Sequence, residues 1–196
     1  MTAIFRVLGS IFEKIKFRTK KTMPTITTDV GISENDALRL GGIKITVSSN
    51  TIFPWGDIGC CYYNAFSLVL RGHAESYCLG FAAGGNAAYA PHAWVKNNGH
   101  YIDNTPQSTD RSATHRLYKY ILLYELNGNQ LHHEYMTFNI DTDKDSGILP
   151  IEMDFNGNMI MAIIKNGKPE RLGIVANAIT YMSSRQQTAT EAGDPT

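Results

Sequence analysis

Pro91-His92-Ala93-Trp94-Val95-Lys96-Asn97-Asn98-Gly99-His100-Tyr101-Ile102-Asp103 holds the strongest local signal in the chain. Two short apolar runs, Ala93-Trp94-Val95 and Tyr101-Ile102, flank Asn97-Asn98-Gly99. Asn-Gly favours a two-residue turn with positive φ, so the stretch predicts a β-hairpin. Side chains alternate faces along a strand, so the turn length decides which residues share a face. With Asn98-Gly99 as the turn, Asn97 pairs with His100, Lys96 with Tyr101, Val95 with Ile102 and Trp94 with Asp103. His92 and Asp103 are then diagonal neighbours on one face, roughly 7–8 Å apart at the backbone. With Asn97-Asn98 as the turn, His92 faces Asp103 directly. A three-residue loop would put the two on opposite faces.

Upstream lies Gly59-Cys60-Cys61-Tyr62-Tyr63-Asn64-Ala65. Ala65, Leu68, Val69, Tyr62 and Phe66 predict a buried helix over 61–72, and Cys61 opens it behind a glycine-ended loop. A thiol must be a thiolate to attack well, and an ordinary thiol holds its proton at neutral pH. The positive end of a helix dipole and a neighbouring imidazolium both favour the charged form. Cys61 has the first by position, and His92 is the candidate for the second. Asp103 would fix the imidazole tautomer and stabilise the imidazolium. Cys61, His92 and Asp103 are therefore the candidate catalytic residues.

Each has a plainer reading. Cysteine is among the most buried residue types, and Cys78 in an apolar strand reads as packed core. Cys60 is the rival nucleophile, though at a helix start it points away from Cys61. Asp103 could serve only as a turn-capping residue. Cys60-Cys61 cannot imitate a Cys-x-x-Cys metal clamp, so zinc is not expected. His132-His133, on an expected strand, would face opposite ways and read as surface.

Further out, residues 2–18 predict an amphipathic helix and 19–30 a linker with Pro24. Residues 42–48 predict a strand, with Ile43, Ile45 and Val47 alternating. Thr51 to Gly59 predicts a loop, Tyr77 to Ala83 a strand, and 84–91 a Gly/Ala loop closing on Pro91. Residues 114–126 fit helix or strand. Further strands are expected over 131–182, with hairpin turns at Asn156-Gly157 and Asn166-Gly167. Ser183 to Thr196 reads as a polar tail. The expected organisation is an N-terminal helix (1–21), a linker and lead-in (22–41), a single catalytic α+β domain (42–182) and a tail (183–196).

The chain has 196 residues, which suits one domain with tails. Hydrophobic residues make up 43% and charged residues 18%, enough to build a core and to argue against global disorder. Formal net charge is +0, so nothing global draws the chain to nucleic acid. The cysteines number three with two adjacent, a poor disulfide framework, which predicts reduced thiols and a cytoplasmic protein. The first 21 residues carry Arg6, Lys14, Lys16, Arg18, Lys20 and Lys21 against the single acid Glu13. Beside the apolar stripe of Ile4, Phe5, Leu8, Ile11, Phe12 and Ile15, two readings stay open. The helix lies peripherally on a membrane surface or a partner, or it packs on its own domain.

The order Gly-x-Cys-aromatic, then His92-Ala93-Trp94, then Tyr101-Ile102-Asp103-Asn104-Thr105 resembles the core of the transglutaminase-like superfamily. It is also similar to papain-like cysteine peptidases, whose nucleophile sits in a Gly-x-Cys-aromatic turn at a helix start. The resemblance covers roughly residues 53–106. It implies Cys61 as nucleophile, His92 as general base and acid, and Asp103 as orienter. It implies a Cys-bearing helix packed on an antiparallel sheet that carries His and Asp; beyond the resemblance, the remainder is expected as a β-rich C-terminal extension. Six residues before the nucleophile, papain-like enzymes carry an oxyanion-hole Gln; this chain carries Trp55, whose indole N–H is a donor. Trp55 and Asn64 are thus the expected oxyanion and support residues. Arylamine N-acetyltransferases resemble the same pattern, but their Arg-Gly-Gly lead-in is missing. The implied activity is thiol-dependent acyl transfer: a peptidase- or amidase-type hydrolase on a protein or peptide substrate, with no cofactor or metal. The alternatives are an acyltransferase and a non-catalytic binding or structural protein on the same fold.

Overall fold

The computed structural model describes residues 31–48, 50, 52–85, 87–106, 119–137, 147–165 and 168–177. The N-terminal helix and linker expected over 2–30, and the tail from 183, lie outside the described residues.

The order of elements is α1 (Glu34–Arg39), β1 (Ile43–Ile45), β2 (Val47–Ser48), α2 (Cys61–Leu70), β3 (Ser76–Ala83), β4 (Ala90–Asn97), β5 (His100–Ile102), β6 (Lys119–Asn127), α3 (Gly128–Thr137), β7 (Gly147–Ile148), β8 (Glu152–Met153), β9 (Asn158–Lys165) and β10 (Lys168–Asn177). This is an α+β protein. Six strands form one sheet in the order β1-β6-β3-β4-β5-β2, and four form a second in which β9 pairs with β7, β8 and β10. The first sheet is antiparallel except at its edge, where β2 runs parallel to β5, a departure from the all-antiparallel expectation.

α2 stops at Leu70, two residues before the expected end. Gly72 takes φ +70, its N–H bonds the Val69 carbonyl at 3.0 Å, and the His73 N–H bonds that of Leu68 at 2.9 Å. That pattern is a Schellman cap, which glycine favours at the left-handed position. α2 lies on β3 and β4, and Ala65, Phe66 and Val69 share one core with Tyr77, Leu79, Phe81, Ala93 and Val95. The rings of Phe66 and Tyr77 meet edge-on at 5.8 Å. The opposite face of the same sheet carries a smaller cluster of Cys78, Ala82, Trp94, Tyr120 and Leu122.

Several expectations need correction. The lead-in over 22–41 is not all linker. Ser33 caps α1 by accepting from the Asp36 N–H at 3.1 Å, Ala37 is fully buried, and Ile32 bridges Tyr89. The strand expected over 42–48 divides at Thr46, with β1 pairing β6 and β2 pairing β5. Pro91 lies inside β4 rather than closing the preceding loop. The ambiguity over 114–126 resolves to strand from Lys119 onward, with 114–118 outside the described residues. Residues 128–137 are helix, so His132 and His133 occupy neighbouring helical positions and not opposite faces of a strand. Asn127 and Gln130 exchange side-chain-to-backbone bonds at 2.9 Å each, a reciprocal box that starts a helix.

The C-terminal strands are not an appended extension. Ile151, Met153, Met159 and Met161 are 0–4% exposed and belong to the same core as α2. The Tyr77 hydroxyl donates to the Ile151 carbonyl at 2.5 Å, Tyr62 to Met153 at 3.0 Å, and Tyr124 to Gly157.

Candidate active site

The hairpin fixes half of the site. Asn98 and Gly99 have φ of 49° and 77°, the two positive values of a type I′ turn. The register pairs Asn97 with His100, Lys96 with Tyr101 and Val95 with Ile102. This is the first of the two even turns considered from the sequence. His92 and Asp103 meet: Nε2 lies 2.7 Å from Oδ2. A carboxylate can only accept, so Nε2 carries the proton and donates it, which leaves Nδ1 for Cys61.

Asp103 is fully buried and held from three sides. Oδ2 accepts from His92 and from the Tyr120 hydroxyl at 3.1 Å, and Oδ1 accepts from the Thr105 N–H at 2.9 Å. The two sequence readings of Asp103 therefore coexist, because it caps a turn with one oxygen and holds the imidazole with the other. Burial raises its proton affinity, but the His92 charge and these hydrogen bonds outweigh burial and hold the carboxyl below its ordinary range. Burial also works against a charged His92. The Asp103 charge and the neighbouring Cys61, with hydrogen bonds to both, overcome it and raise His92 well above an ordinary imidazole.

Cys61 is the first residue of α2 and is nearly buried, with 9% of its surface exposed. The turn before it closes from the Cys60 N–H to the Asp57 carbonyl at 3.3 Å, with Gly59 at φ +70. A side chain at that angle would be strained, which gives the Gly-x-Cys pattern a backbone cause. First-turn N–H groups of a helix have no partner four residues back, so donors gather where Cys61 sits. Cys60 is exposed, and burial of its sulfur, Asp57 and Cys61 all raise its thiol above the usual value. Cys78 is fully buried in β3, as packed core.

Asn64 acts as a tie. Its Oδ1 accepts from the Asp57 N–H at 3.0 Å, and its Nδ2 donates to the Asp57 carbonyl at 2.7 Å and to Thr105 Oγ1 at 3.1 Å. One side chain thus joins α2, the loop before Cys61 and the segment after Asp103. The Gly56 N–H bonds the Asn104 carbonyl at 2.9 Å and completes the join. Trp55 lines a cleft of about 540 Å³ with Phe53, Pro54, Asn64, Ser67 and Asn104, and Cys61 is not among the lining residues. The tie is a supporting role for Asn64; the cleft wall is where Trp55 stands.

Tyr120 and Thr105 hold Asp103 through contacts that the sequence reading did not assign. Thr105 was inside the quoted motif, and its N–H follows from the Asp-x-Thr spacing of an Asx turn. Tyr120 comes from β6, a strand whose pairing no local pattern reveals. Comparison with protein-family models, curated proteins and solved structures finds no match for this chain. Among the described residues, no helix is long and apolar enough to cross a membrane.

Proposed function

We propose that the protein is a thiol-dependent acyl-transfer enzyme, a peptidase- or amidase-type hydrolase built on a transglutaminase-like core. The observation that supports this best is the chain of contacts from Cys61 through the His92 ring to Asp103, with His92 raised above an ordinary imidazole. A thiol, a ring nitrogen able to take its proton and a buried carboxylate on the other nitrogen are what a thiol nucleophile requires.

The steps follow from those positions. The Cys61 proton passes to Nδ1 of His92, and the sulfur attacks a carbonyl carbon. Negative charge develops on the carbonyl oxygen, where the backbone N–H of Cys61 and other first-turn donors of α2 stabilise it. The carbon–nitrogen bond breaks as His92 returns the proton to the leaving amine, giving a thioester on Cys61. Water then attacks, His92 takes its proton, and the acid leaves as the thiol is restored. An amine in place of water would give transfer, and no cofactor takes part.

One observation favours a second reading. Cys61 is only 9% exposed and stands apart from the cleft, as a binding or structural protein on this fold would allow. A thiol-reactive probe decides between them. An acyloxymethyl ketone or iodoacetamide at low concentration should label Cys61 faster than Cys60, and His92→Gln should abolish that preference. Failure of Cys61 to react in the folded protein would favour the binding module.

A further inference from the structure

On the sheet face away from the helical core, side chains from two strands, His92 of β4 and Tyr120 of β6, converge on Asp103 across β3. In β3, Gly80 pairs with both His92 of β4 and Leu122 of β6, and Ala82 pairs with both Ala90 and Tyr120. Directly opposed residues share a face, so Gly80 and Ala82 floor the space between His92 and Tyr120. That floor is kept low. A Cβ at Gly80 would come within 2.8 Å of Trp94 Cη2 and 2.0 Å of the Ile121 carbonyl oxygen. The Trp94 ring occupies this space, stacked on His92 at 6.2 Å and edge-on to Tyr120 at 5.3 Å. Tyr120 thereby reaches across the central strand and places its hydroxyl 3.1 Å from the same Asp103 oxygen that holds His92.

We infer that Tyr120 is a positioning residue of the His92–Asp103 pair, its hydroxyl holding Asp103 Oδ2 and limiting how strongly that oxygen binds the proton on His92. A carboxylate oxygen has two lone-pair directions, and here two donors fill them. Charge that Tyr120 draws from Oδ2 is charge withheld from the imidazolium. Too strong a grip would make His92 a poor acid toward a leaving group; a missing grip would let the ring turn. The groups that face His92 are Cys61 from α2, Asp103 from the segment after β5 and Tyr120 from β6, while β3 contributes only Gly80 and Ala82 beneath it. Burial and the adjacent Asp103 charge hold the Tyr120 proton far more firmly than an ordinary phenol does, so the hydroxyl stays a donor at any working pH.

The test is the imidazole titration of His92 by nitrogen-15 NMR on the full chain, with the resonance assigned by His92→Gln. Tyr120→Phe should raise the His92 midpoint by about half a unit to one unit, the size of one net hydrogen bond. Replacing Tyr120 by 3-fluorotyrosine, a stronger donor of nearly the same shape, should move it the other way. An unmoved midpoint in a folded variant, or shifts of one sign in both, would reduce Tyr120 to packing. If Tyr120→Phe fails to fold, the fluorotyrosine protein alone decides by the same criterion. The role in turnover rests on the acyl-transfer reading, but the NMR measurement does not. An unreactive Cys61 alongside the opposite-signed shifts would overturn that reading and leave the Tyr120 assignment standing.

Discussion

His92 Nε2 and Asp103 Oδ2 lie 2.7 Å apart, and the pair is shielded from water on almost every side. The type I′ turn at Asn98-Gly99 is the cause, because a turn of even length keeps both side chains on one face. The pair does not stand alone. Thr105 and Tyr120 complete the carboxylate, and Asn64 ties Thr105 back to the helix that carries Cys61. A displacement at any of these points therefore reaches Cys61 within a few bonds.

The pair should make stability depend on pH in a definite sense. His92 is raised in the folded state, so its contribution is whole below the ordinary imidazole value and is lost as pH rises through the folded value. Asp103 is lowered, so its contribution is whole above the ordinary carboxylate value and is lost as pH falls through the folded value. The two overlap between about pH 4 and about pH 6.5. Urea unfolding at pH 6, 8 and 9.5 should show wild type weakening with pH, and His92→Gln weakening less. Parallel curves for the two proteins would contradict the assignment.

Cys61→Ala should lose activity by about a thousand-fold or more, the scale on which thiol enzymes depend on their nucleophile. Cys60→Ala and Cys78→Ala should keep most of it. Cys60 is exposed with a raised thiol, and Cys78 is core in β3. Cys78→Ala removes one buried sulfur and should lower stability by about 1–2 kcal/mol. Turnover of a peptide or amide library by the three variants reads this directly. Equal loss in Cys60→Ala would move the nucleophile.

Asn64→Ala should cost more in activity than in stability. It breaks three hydrogen bonds around the loop before Cys61, about 1 kcal/mol each on the usual scale and partly regained through the higher helix propensity of Ala. The same loop would lose its register to Cys61, where small displacements are costly in rate. Gly56→Ala should act on the same joint, since its Cβ would fall 2.1 Å from Asn64 Cγ. Melting temperature and kcat measured together separate the two effects. A melting-point drop with unchanged kcat would make the tie purely structural.

The hairpin and the helix carrying Cys61 were legible because their causes are local: an Asn-Gly turn, a glycine-ended loop and an apolar helical face. The helices α1 and α3 had signals as local, Ser33 before Asp36 and Asn127 before Gln130. They escaped because α1 is a short helix beside a region read as linker and α3 follows directly on β6. Tyr120 was not legible. Its partnership with Asp103 depends on β6 pairing with β3, a contact between distant parts of the chain whose register shifts at Leu79/Gly80. No periodicity in residues 114–126 carries that information. The same limit hid the place of the C-terminal strands, whose apolar alternation says that they bury a face but not against what.

Truncating the chain after residue 146 should give no smaller folded domain. Three tyrosines, from α2, β3 and β6, each reach forward to a backbone carbonyl in the 151–157 segment. Removing that segment would take away the carbonyls of Ile151 and Gly157 to which Tyr77 and Tyr124 donate, at about 1–3 kcal/mol each. It would also uncover the wall that Ile151, Met153, Met159 and Met161 form against the core shared with Phe66 and Leu79. Losses of that size consume the stability of an ordinary domain. Tyr77→Phe in the full chain is the graded version and should lower stability by about 1–2 kcal/mol while leaving Cys61 labelling unchanged. Tyr62 follows Cys61 directly and bonds Met153, so Tyr62→Phe should slow labelling of Cys61 more than it lowers the melting temperature. Circular dichroism and thermal melting of the truncated chain are the deciding measurements. A soluble 1–146 fragment with a cooperative melt would show that the C-terminal sheet is an appendage after all.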